Sequence, residues 1–335
     1  MQQSDPHNTF NRRTFLTQSL AASAGIAAAA AASHQALAET RPAAKPSSQA
    51  PGQLPKGKIG DLEISRLILG TNHVTFFMHS RDLHYVNDLS RHYNTDEKII
   101  ETFAAAEASG VTAFMTHQDP KIAKLFRQYR DRGGKLKWIV APWSDAEGRR
   151  VADPASYQRA VPQLVDSGVD ALYVPGMITG TLVKQGKGAL IGEMLGIIKT
   201  TGLPVGVACH ELEVVQFCEK EKFPLDFYVK TLHHLKYPTA PKPDAIQKPY
   251  AEVPGYWCNN PEETAEFMKG VTKPWIAFKV LAAGAIPPRD GFNYAFARGG
   301  DFILAGMFDF QTAEDAQIIR DAFAANKNRA RPWRG

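Results

Sequence analysis

The stretch that decides the fold is Thr95–Ala141, which reads TDEKIIETFAAAEASGVTAFMTHQDPKIAKLFRQYRDRGGKLKWIVA. In it, two helical patterns, Asp96–Ala108 and Pro120–Arg132, alternate with two short apolar runs, Val111–Met115 and Lys137–Ala141. Short apolar runs bounded by Gly, Pro or polar residues are typical of buried parallel strands. The stretch therefore predicts two helix-then-strand units of an α/β fold.

The same alternation continues on both sides of this stretch. Six more apolar runs predict strands: Arg66–Gly70, Ala171–Val174, Pro204–Ala208, Asp226–Val229, Trp275–Val280 and Phe302–Ala305. Further helical patterns cover Pro154–Ser167, Gly188–Thr200, Leu212–Lys222, Pro261–Lys269, Arg289–Arg298 and Thr312–Ala325. Eight strand–helix units in about 270 residues predict a single (β/α)8 TIM barrel over residues 57–328. A doubly wound open sheet is the alternative, but its G-x-G-x-x-G fingerprint does not follow the first strand.

The N-terminus predicts export. Arg12 and Arg13 precede an alanine-rich, weakly apolar run, and Ala36-Leu37-Ala38 offers a small-x-small cleavage site. Paired arginines in that order indicate a Tat signal peptide over residues 1–38, with the Tat translocase as partner and a periplasmic or secreted destination. The apolar run is too short for a stable membrane anchor. Residues 39–56 are rich in Pro, Ala and Ser and predict a disordered linker, and residues 329–335 a C-terminal tail.

Bulk composition excludes some functions. The formal net charge of the 335-residue chain is only +5, and its basic residues are scattered among acidic ones. A nucleic-acid binder would show a concentrated basic face, so none is expected as partner. Three cysteines without C-x-x-C spacing argue against a disulfide framework: Cys209 reads as a buried apolar residue, and a Cys218–Cys258 bridge stays open.

Two connections are long for a TIM barrel. They are Thr71–Asn94 after the first strand and Thr231–Asn260 after the sixth, and both fall on the face where such barrels carry their active sites. Both are rich in aromatic side chains, which suit stacking on sugar rings or other flat surfaces. These loops therefore predict walls of a binding site, the alternatives being a plain cover of the barrel or a subunit contact.

Four segments resemble the aldo/keto reductase superfamily, especially its divergent bacterial members. Ile59–Thr71 is similar to the family's entry hairpin and first strand, and Ala108–Phe114 to the run into its second strand. Ala277–Gly284 and Phe302–Met307 resemble its seventh and eighth strands. The resemblance implies the barrel fold.

The catalytic tetrad of that family does not carry over. Its Asp, Tyr, Lys and His would fall on Met115, Pro120, Pro142 and Pro175. None of these can protonate a carbonyl or lower the pKa of a proton donor. The resemblance thus supports the fold but not the usual hydride transfer, and NADPH is not expected as a cofactor.

Histidines gather at the predicted mouth, the face formed by the C-terminal ends of the strands. None of the eight beyond the signal peptide is predicted to lie within a helix. Imidazoles and carboxylates that converge can bind a divalent metal such as zinc, manganese, iron or nickel. The predicted ligands are His73, His117, His210 and Glu211. The alternative is that the histidines bind a polar substrate or act as acids and bases without a metal.

Lysines allow a different mechanism. Lys279 and Lys230 fall at the ends of predicted inner strands, where a desolvated amine can form a Schiff base with a carbonyl. The alternative is that Lys279 points outward or pairs with a carboxylate. The catalytic candidates are then His210, Glu211, Lys279, Lys230 and His117, and the candidates for substrate binding are His233, Trp257, Tyr256, Phe76 and Asp309.

Taken together, the sequence predicts an exported TIM-barrel enzyme for a small polar, carbohydrate-like substrate. The expected chemistry is metal-assisted or acid–base, of the lyase, isomerase or hydrolase kind. One alternative is an aldo/keto reductase-like oxidoreductase with a rearranged site. Another is a non-catalytic barrel that binds a sugar or a partner through its aromatic loops.

Overall fold

Eight parallel strands pair edge to edge and close into a barrel. The computed structural model describes residues 53–81, 83–144, 147–242 and 257–335. The predicted signal peptide and most of the predicted linker lie outside these residues. The barrel strands are β3 (Leu67–Gly70), β4 (Ala113–His117), β5 (Lys137–Ala141), β6 (Ala171–Val174), β7 (Val205–Cys209), β8 (Phe227–Thr231), β9 (Trp275–Phe278) and β10 (Phe302–Gly306). β10 pairs with β3 and thereby closes the ring. The predicted TIM barrel is confirmed.

Helices cover the outside of the barrel. Those within the described residues are α1 (Tyr85–Tyr93), α2 (Asp96–Ala108), α3 (Pro120–Asp131), α4 (Pro154–Asp166), α5 (Gly176–Lys184), α6 (Ala189–Lys199), α7 (Leu212–Lys220), α8 (Pro261–Gly270), α9 (Pro288–Ala297) and α10 (Thr312–Ala325). A 3-10 turn at Asp309–Gln311 precedes α10. Side-chain caps start several of them; Asp153, for example, accepts from the backbone N–H of Ser156 in a capping box. Among the described residues, no helix is long and apolar enough to cross a membrane.

Two helices were not predicted. α1 lies inside the long connection after β3, so His92 is in a helix, contrary to the expectation that no histidine would be. α5 follows β6 directly, where Gly176 and Gly180 lowered the helical signal. A Cβ atom at Gly180 would lie 2.8 Å from a carboxylate oxygen of Glu211, so a larger residue there would require the Glu211 side chain to shift.

The barrel interior is an apolar core with a plug at its lower end. A hairpin of β1 (Lys56–Ile59) and β2 (Leu62–Ser65) precedes the barrel and places Ile59 and Ile64 among the interior side chains of the strands. A larger core lies between the strands and the helices. Cys209, Cys218 and Cys258 are buried in that core as free thiols. The open end of the barrel is therefore the mouth, at the C-terminal ends of the strands.

The C-terminal residues complete the lower end. Arg66, Asp301, Arg329 and Arg331 form a group that we call the basal cluster. Asp301 accepts from Arg331 and Arg329 and from the backbone N–H groups of Trp275 (2.9 Å) and Arg334 (2.9 Å). Residues of the predicted C-terminal tail thus contact this end of the barrel through Asp301.

Candidate functional site

The pleat of the strands decides which side chains enter the mouth. Met115 on β4 and Ala208 on β7 belong to the barrel interior. Side chains two positions further along a strand face the same way. His117 and His210 therefore point into the mouth, and Phe278 joins them from β9, because its ring packs on the interior core and lies 5.5 Å from His210.

Lys279 forms the most unusual corner of the mouth. It follows β9 with a left-handed backbone (φ 57°), and its Nζ lies 4.2 Å from the centre of the Trp257 ring. The amine makes no hydrogen bond or ion pair with any described residue. Desolvation by burial lowers the pKa of Lys279 to about 7. Burial therefore favours the unprotonated form of this amine more than in an exposed lysine.

Trp257 is held in place by His233 and Thr231. Nε2 of His233 accepts from the backbone N–H groups of Trp257 (3.0 Å) and Cys258 (3.1 Å), and its Nδ1 contacts the carbonyl of His234 (3.0 Å). Since Nε2 accepts, the proton lies on Nδ1 and the ring is neutral. Burial lowers the pKa of His233 to about 4, consistent with this tautomer. Thr231 Oγ1 donates to the Trp257 carbonyl at 2.7 Å.

Two more imidazoles flank Lys279. His79 packs on Trp257 with its ring centre 4.9 Å away. Burial, reinforced by the charge of Lys279, lowers the pKa of His210 to about 3, and the same two causes lower the pKa of His79. Neither ring makes a hydrogen bond to a described residue. Both are therefore neutral groups that can accept or donate one hydrogen bond to a ligand.

An aromatic corner lies around His117. Its ring is 4.8 Å from Phe77 and 5.2 Å from Trp143. Burial is the main cause that lowers the pKa of His117. Tyr173, on the interior face of β6, donates from its hydroxyl to the carbonyl of Thr116 at 3.3 Å. This side of the mouth offers ring faces, and the Arg150 guanidinium stacks on that of Trp143, 3.5 Å from its centre.

Two predicted catalytic residues face away from the mouth. Lys230 is fully buried on the outer face of β8, and its amine donates to the carbonyl (3.0 Å) and hydroxyl (3.2 Å) of Thr231. Glu211 precedes α7 and pairs with Lys184 at 2.9 Å, against α5. Adjacent residues at a strand end diverge, so His210 enters the mouth and Glu211 leaves it. Lys230 braces Thr231 and through it Trp257.

The predicted substrate-binding residues are also divided. Trp257 lies in the mouth and His233 positions it. Asp309 accepts from the Tyr93 hydroxyl (2.6 Å) and pairs with Lys98 (3.3 Å). Phe76 packs under the Arg91 guanidinium (4.5 Å), while its neighbour Phe77 reaches His117. Tyr256 lies outside the described residues.

The predicted metal ligands do not converge. No group of three or more His, Cys, Asp or Glu side chains among the described residues could hold a metal ion. His73 lies between β3 and β10, with its ring 5.0 Å from Phe308, and both of its ring nitrogens are buried without a hydrogen-bond partner. His117 and His210 belong to different corners, and Glu211 is ion-paired outside the mouth. These four residues were predicted as ligands because they all follow the C-terminal ends of strands. Their side chains point in different directions and therefore do not meet.

Several mouth residues were not among the predicted site residues: His79, Phe77, Trp143, Tyr173 and Phe278. The sequence carries a signal for three of them. Trp143 lies two positions after the end of β5, where mouth residues are expected. Tyr173 and Phe278 each lie two positions after an interior residue of the same strand and so face the same way. His79 and Phe77 are in a loop, whose path no periodicity encodes.

Comparison with known proteins shows which solved structures share this fold. No protein-family model matches the chain, and no curated protein matches it. A Pseudomonas aeruginosa protein provisionally designated an aldo-keto reductase is similar in structure, with TM-score 0.57 and 16% identity over 83% of this chain and 99% of the other. A second structure with the same designation and organism gives TM-score 0.56 and 16% identity over 82% and 99%. These similarities show the (β/α)8-barrel fold that the resemblance implied.

The four residues that the sequence aligns with that family's tetrad offer no acid or base to the mouth. Met115 faces the barrel interior, Pro120 opens α3, Pro142 follows β5, and Pro175 precedes α5. Instead, the mouth presents a histidine at the end of the second barrel strand, His117, and a tyrosine on the fourth, Tyr173.

Proposed function

We propose that this protein is an enzyme for a carbonyl compound, and that the Lys279 amine condenses with the carbonyl in the barrel mouth. The observation that carries the proposal is the state of that amine. It lies on the face of Trp257 within a mouth of neutral rings, and no described carboxylate neutralises it. A lysine that is desolvated in this way is a nucleophile near neutral pH.

The condensation needs only groups in the mouth and water. The lone pair of Nζ attacks the carbonyl carbon, a C–N bond forms, and the carbonyl oxygen leaves as water after taking up two protons, one from the amine and one from solvent. The product is a protonated Schiff base on Lys279. His210 and His79, both neutral, can hydrogen-bond to the departing oxygen.

Such an adduct favours lyase or isomerase chemistry. The positive nitrogen withdraws electrons from the bonds of the neighbouring carbon, so a proton or a carbon fragment can leave it. The ring faces of Trp257, Phe278 and Phe77 suit a small, carbohydrate-like substrate. Hydrolase chemistry on a bound metal is not part of the proposal, because the four predicted ligands do not face one another. Export by the Tat pathway stays part of it on the strength of the N-terminal sequence.

A reductase with a rearranged site is the second candidate. Two observations favour it: the aldo-keto reductase-like fold, and the presence of a tyrosine and a histidine on neighbouring parts of the mouth. Tyr173 would donate a proton to a carbonyl that accepts a hydride. Burial raises the pKa of Tyr173, and no described lysine lies beside it to oppose that shift, so the proton transfer would be slow.

Borohydride trapping tests the proposal. The purified protein is mixed with glycolaldehyde or levulinate, reduced with borohydride, digested and mapped by mass spectrometry. We expect the secondary-amine adduct on Lys279 in preference to exposed lysines such as Lys187. Lys279→Met should abolish that adduct, and Lys187→Met should leave it unchanged.

A parallel measurement tests the second candidate. NADPH oxidation is followed by absorbance with the same carbonyl compounds. NADPH turnover that Tyr173→Phe abolishes and Lys279→Met preserves, without an adduct on Lys279, would replace the proposal by the reductase. An adduct on Lys279 without NADPH turnover would support the proposed condensation.

A further inference from the structure

The indole of Trp257 is the aromatic ring that lies closest to the Lys279 amine. Nζ sits over its face, 4.2 Å from the ring centre, whereas the centre of the Phe278 ring is 5.9 Å away. The face of an aromatic ring attracts a cation within about 6 Å, and tryptophan does so most strongly. Trp257 is only 4% exposed, so little water competes with this attraction.

Both sides of this contact are fixed by the backbone. The N–H of Trp257 donates to His233 at 3.0 Å, and its carbonyl accepts from Thr231, the last residue of β8, at 2.7 Å. Lys279 has a left-handed backbone (φ 57°), which is uncommon for a residue other than glycine. The amine and the ring are therefore held together at some cost in backbone strain, as is typical of functional sites.

The charge of the amine is not balanced by a carboxylate. Lys279 forms no ion pair with a described residue, and three imidazoles lie within electrostatic range of it, those of His79, His210 and His233. Burial lowers the pKa of these imidazoles to about 4, 3 and 4, so all three are neutral between pH 6 and pH 8. Among these four groups, only Lys279, with a pKa of about 7, changes its charge in that range.

The proposed condensation reverses what the nitrogen needs from its surroundings. The amine must be neutral to attack the carbonyl, and the Schiff base that results carries a positive charge on the same atom. A carboxylate beside Nζ would stabilise that product, but it would also raise the pKa of the amine and hold it protonated. An aromatic face is a weaker partner, which favours the cation about two- to thirtyfold. It therefore leaves the buried amine free to lose its proton.

We infer that the indole face of Trp257 is a catalytic group of this condensation, which stabilises the cationic nitrogen of the Schiff base on Lys279 in place of a carboxylate. Nζ keeps its bond to Cε when it condenses, so the cation forms where the amine already contacts the ring. No bond to the indole forms or breaks. Thr231 and His233 are positioning residues, because they act through Trp257. The inference rests on the proposed function, since it assigns the electrostatic partner of the adduct.

Site-specific fluorination of Trp257 tests the inference while nearly preserving the shape of the side chain. Tetrafluorotryptophan has an electron-poor ring, whose face loses most of its attraction for a cation. Borohydride trapping on Lys279 is measured against glycolaldehyde concentration at pH 8 and at pH 6. At pH 8 the amine is the reactant, and we expect the half-saturating concentration to rise about threefold or more. At pH 6 the reactant is an ammonium ion that loses the same stabilisation, so the rise should be much smaller.

Matched variants separate the electrostatic role of the ring from packing. Trp333 stacks on the Arg329 guanidinium (3.5 Å) at the lower end of the barrel, and its fluorination should leave trapping unchanged. Trp257→Phe should weaken trapping at pH 8 less than Trp257→Leu, because phenylalanine keeps a weaker ring face and leucine has none. An equal rise at both pH values after fluorination of Trp257 would indicate packing alone and overturn the inference, and so would the absence of any rise.

The pKa of Lys279 distinguishes failure of this inference from failure of the proposed function. Competitive labelling with acetic anhydride across pH measures that pKa without a Schiff base. We expect fluorination of Trp257 to lower it by about 0.5 or more, because the ammonium ion contacts the same ring face. An adduct that forms while this pKa stays unchanged on fluorination overturns only the inference. Absence of an adduct in the wild type overturns the proposed function.

Discussion

The buried charged groups at the lower end of the barrel are hydrogen-bonded, whereas several buried polar groups at the mouth are not. At the lower end, every N–H of Arg329 and Arg331 has an acceptor, including both carboxylate oxygens of Asp301. At the mouth, Lys279 and the rings of His73 and His210 have no hydrogen-bond partner among the described residues. The donors of Arg329 and Arg331 are thus satisfied within the chain, and the polar groups of the mouth are not.

This difference separates structure from function. A buried ion whose donors and acceptors are all satisfied fixes one arrangement of the chain around it. A buried polar group without a partner is a burden on the fold, and proteins keep such groups mainly where a ligand completes them. Substitutions should therefore destabilise the basal cluster and be tolerated by the fold at the mouth.

The largest effect is expected from Asp301→Asn. It leaves two buried guanidinium groups without their counter-charge, which should lower the free energy of unfolding by about 3–5 kcal/mol. Urea unfolding measures the loss. Glu63→Gln, which breaks the exposed pair with Lys56 (3.1 Å), is the control and should change stability by less than about 1 kcal/mol. Similar losses in both variants would remove the distinction between a buried network and a surface pair.

His233→Ala should have the next largest effect, because it removes a buried imidazole whose two ring nitrogens are both hydrogen-bonded. Two buried backbone donors, of Trp257 and Cys258, lose their acceptor, which should lower the free energy of unfolding by about 2–4 kcal/mol. Trapping on Lys279 should slow in parallel, since Trp257 is no longer fixed. Unchanged stability would mean that water replaces the imidazole.

The fold could be predicted from the sequence because its signals are local. Each barrel strand is an apolar run between polar or turn residues, and β5 and β6 match their predicted bounds. β4 is displaced two residues along the chain, from Val111–Met115 to Ala113–His117. The backbone N–H of Val111 still bonds to α2, at the carbonyl of Ala106, so the strand begins later.

The site was predicted less well because it depends on side-chain direction. Strand ends located His117, His210 and Lys279 at the mouth, but a change of one position along a strand turns Lys230 outward. The basal cluster was not predicted, since Asp301 and Arg331 meet through packing of the C-terminal residues, which no periodicity encodes. Long-range pairing of single charges is invisible to patterns of apolar spacing.

Lys279→Met should stabilise the fold, because it replaces a buried amine that has no hydrogen-bond partner among the described residues by an apolar side chain. Burial lowers the pKa of this lysine from 10.5 to about 7, so the folded state binds fewer protons than the unfolded state between these values. The unfolding free energy of the wild type should therefore rise as the pH increases from 7 to 10.5, and this rise should be smaller in the variant. At pH 7 the variant should be more stable by about 1–2 kcal/mol. Equal slopes would show that Lys279 has a partner in solution.

The smallest effect is expected from His73→Leu. Both ring nitrogens of His73 are unpartnered, so an apolar side chain of similar size should change the unfolding free energy by less than about 1 kcal/mol at pH 7. Burial lowers the pKa of His73 to about 4, and the unfolded state therefore takes up a proton that the folded state does not. The wild type should lose stability as the pH falls from 6.5 to 4, by at most about 1.4 kcal/mol per pH unit from this residue, and the variant should lose less. Chemical unfolding across that range measures both slopes. A loss of several kcal/mol at pH 7 would instead reveal a partner for the imidazole, such as the metal ion that the sequence predicted. That corner of the mouth would then resemble the pairing of Arg329 and Arg331 with Asp301 at the lower end.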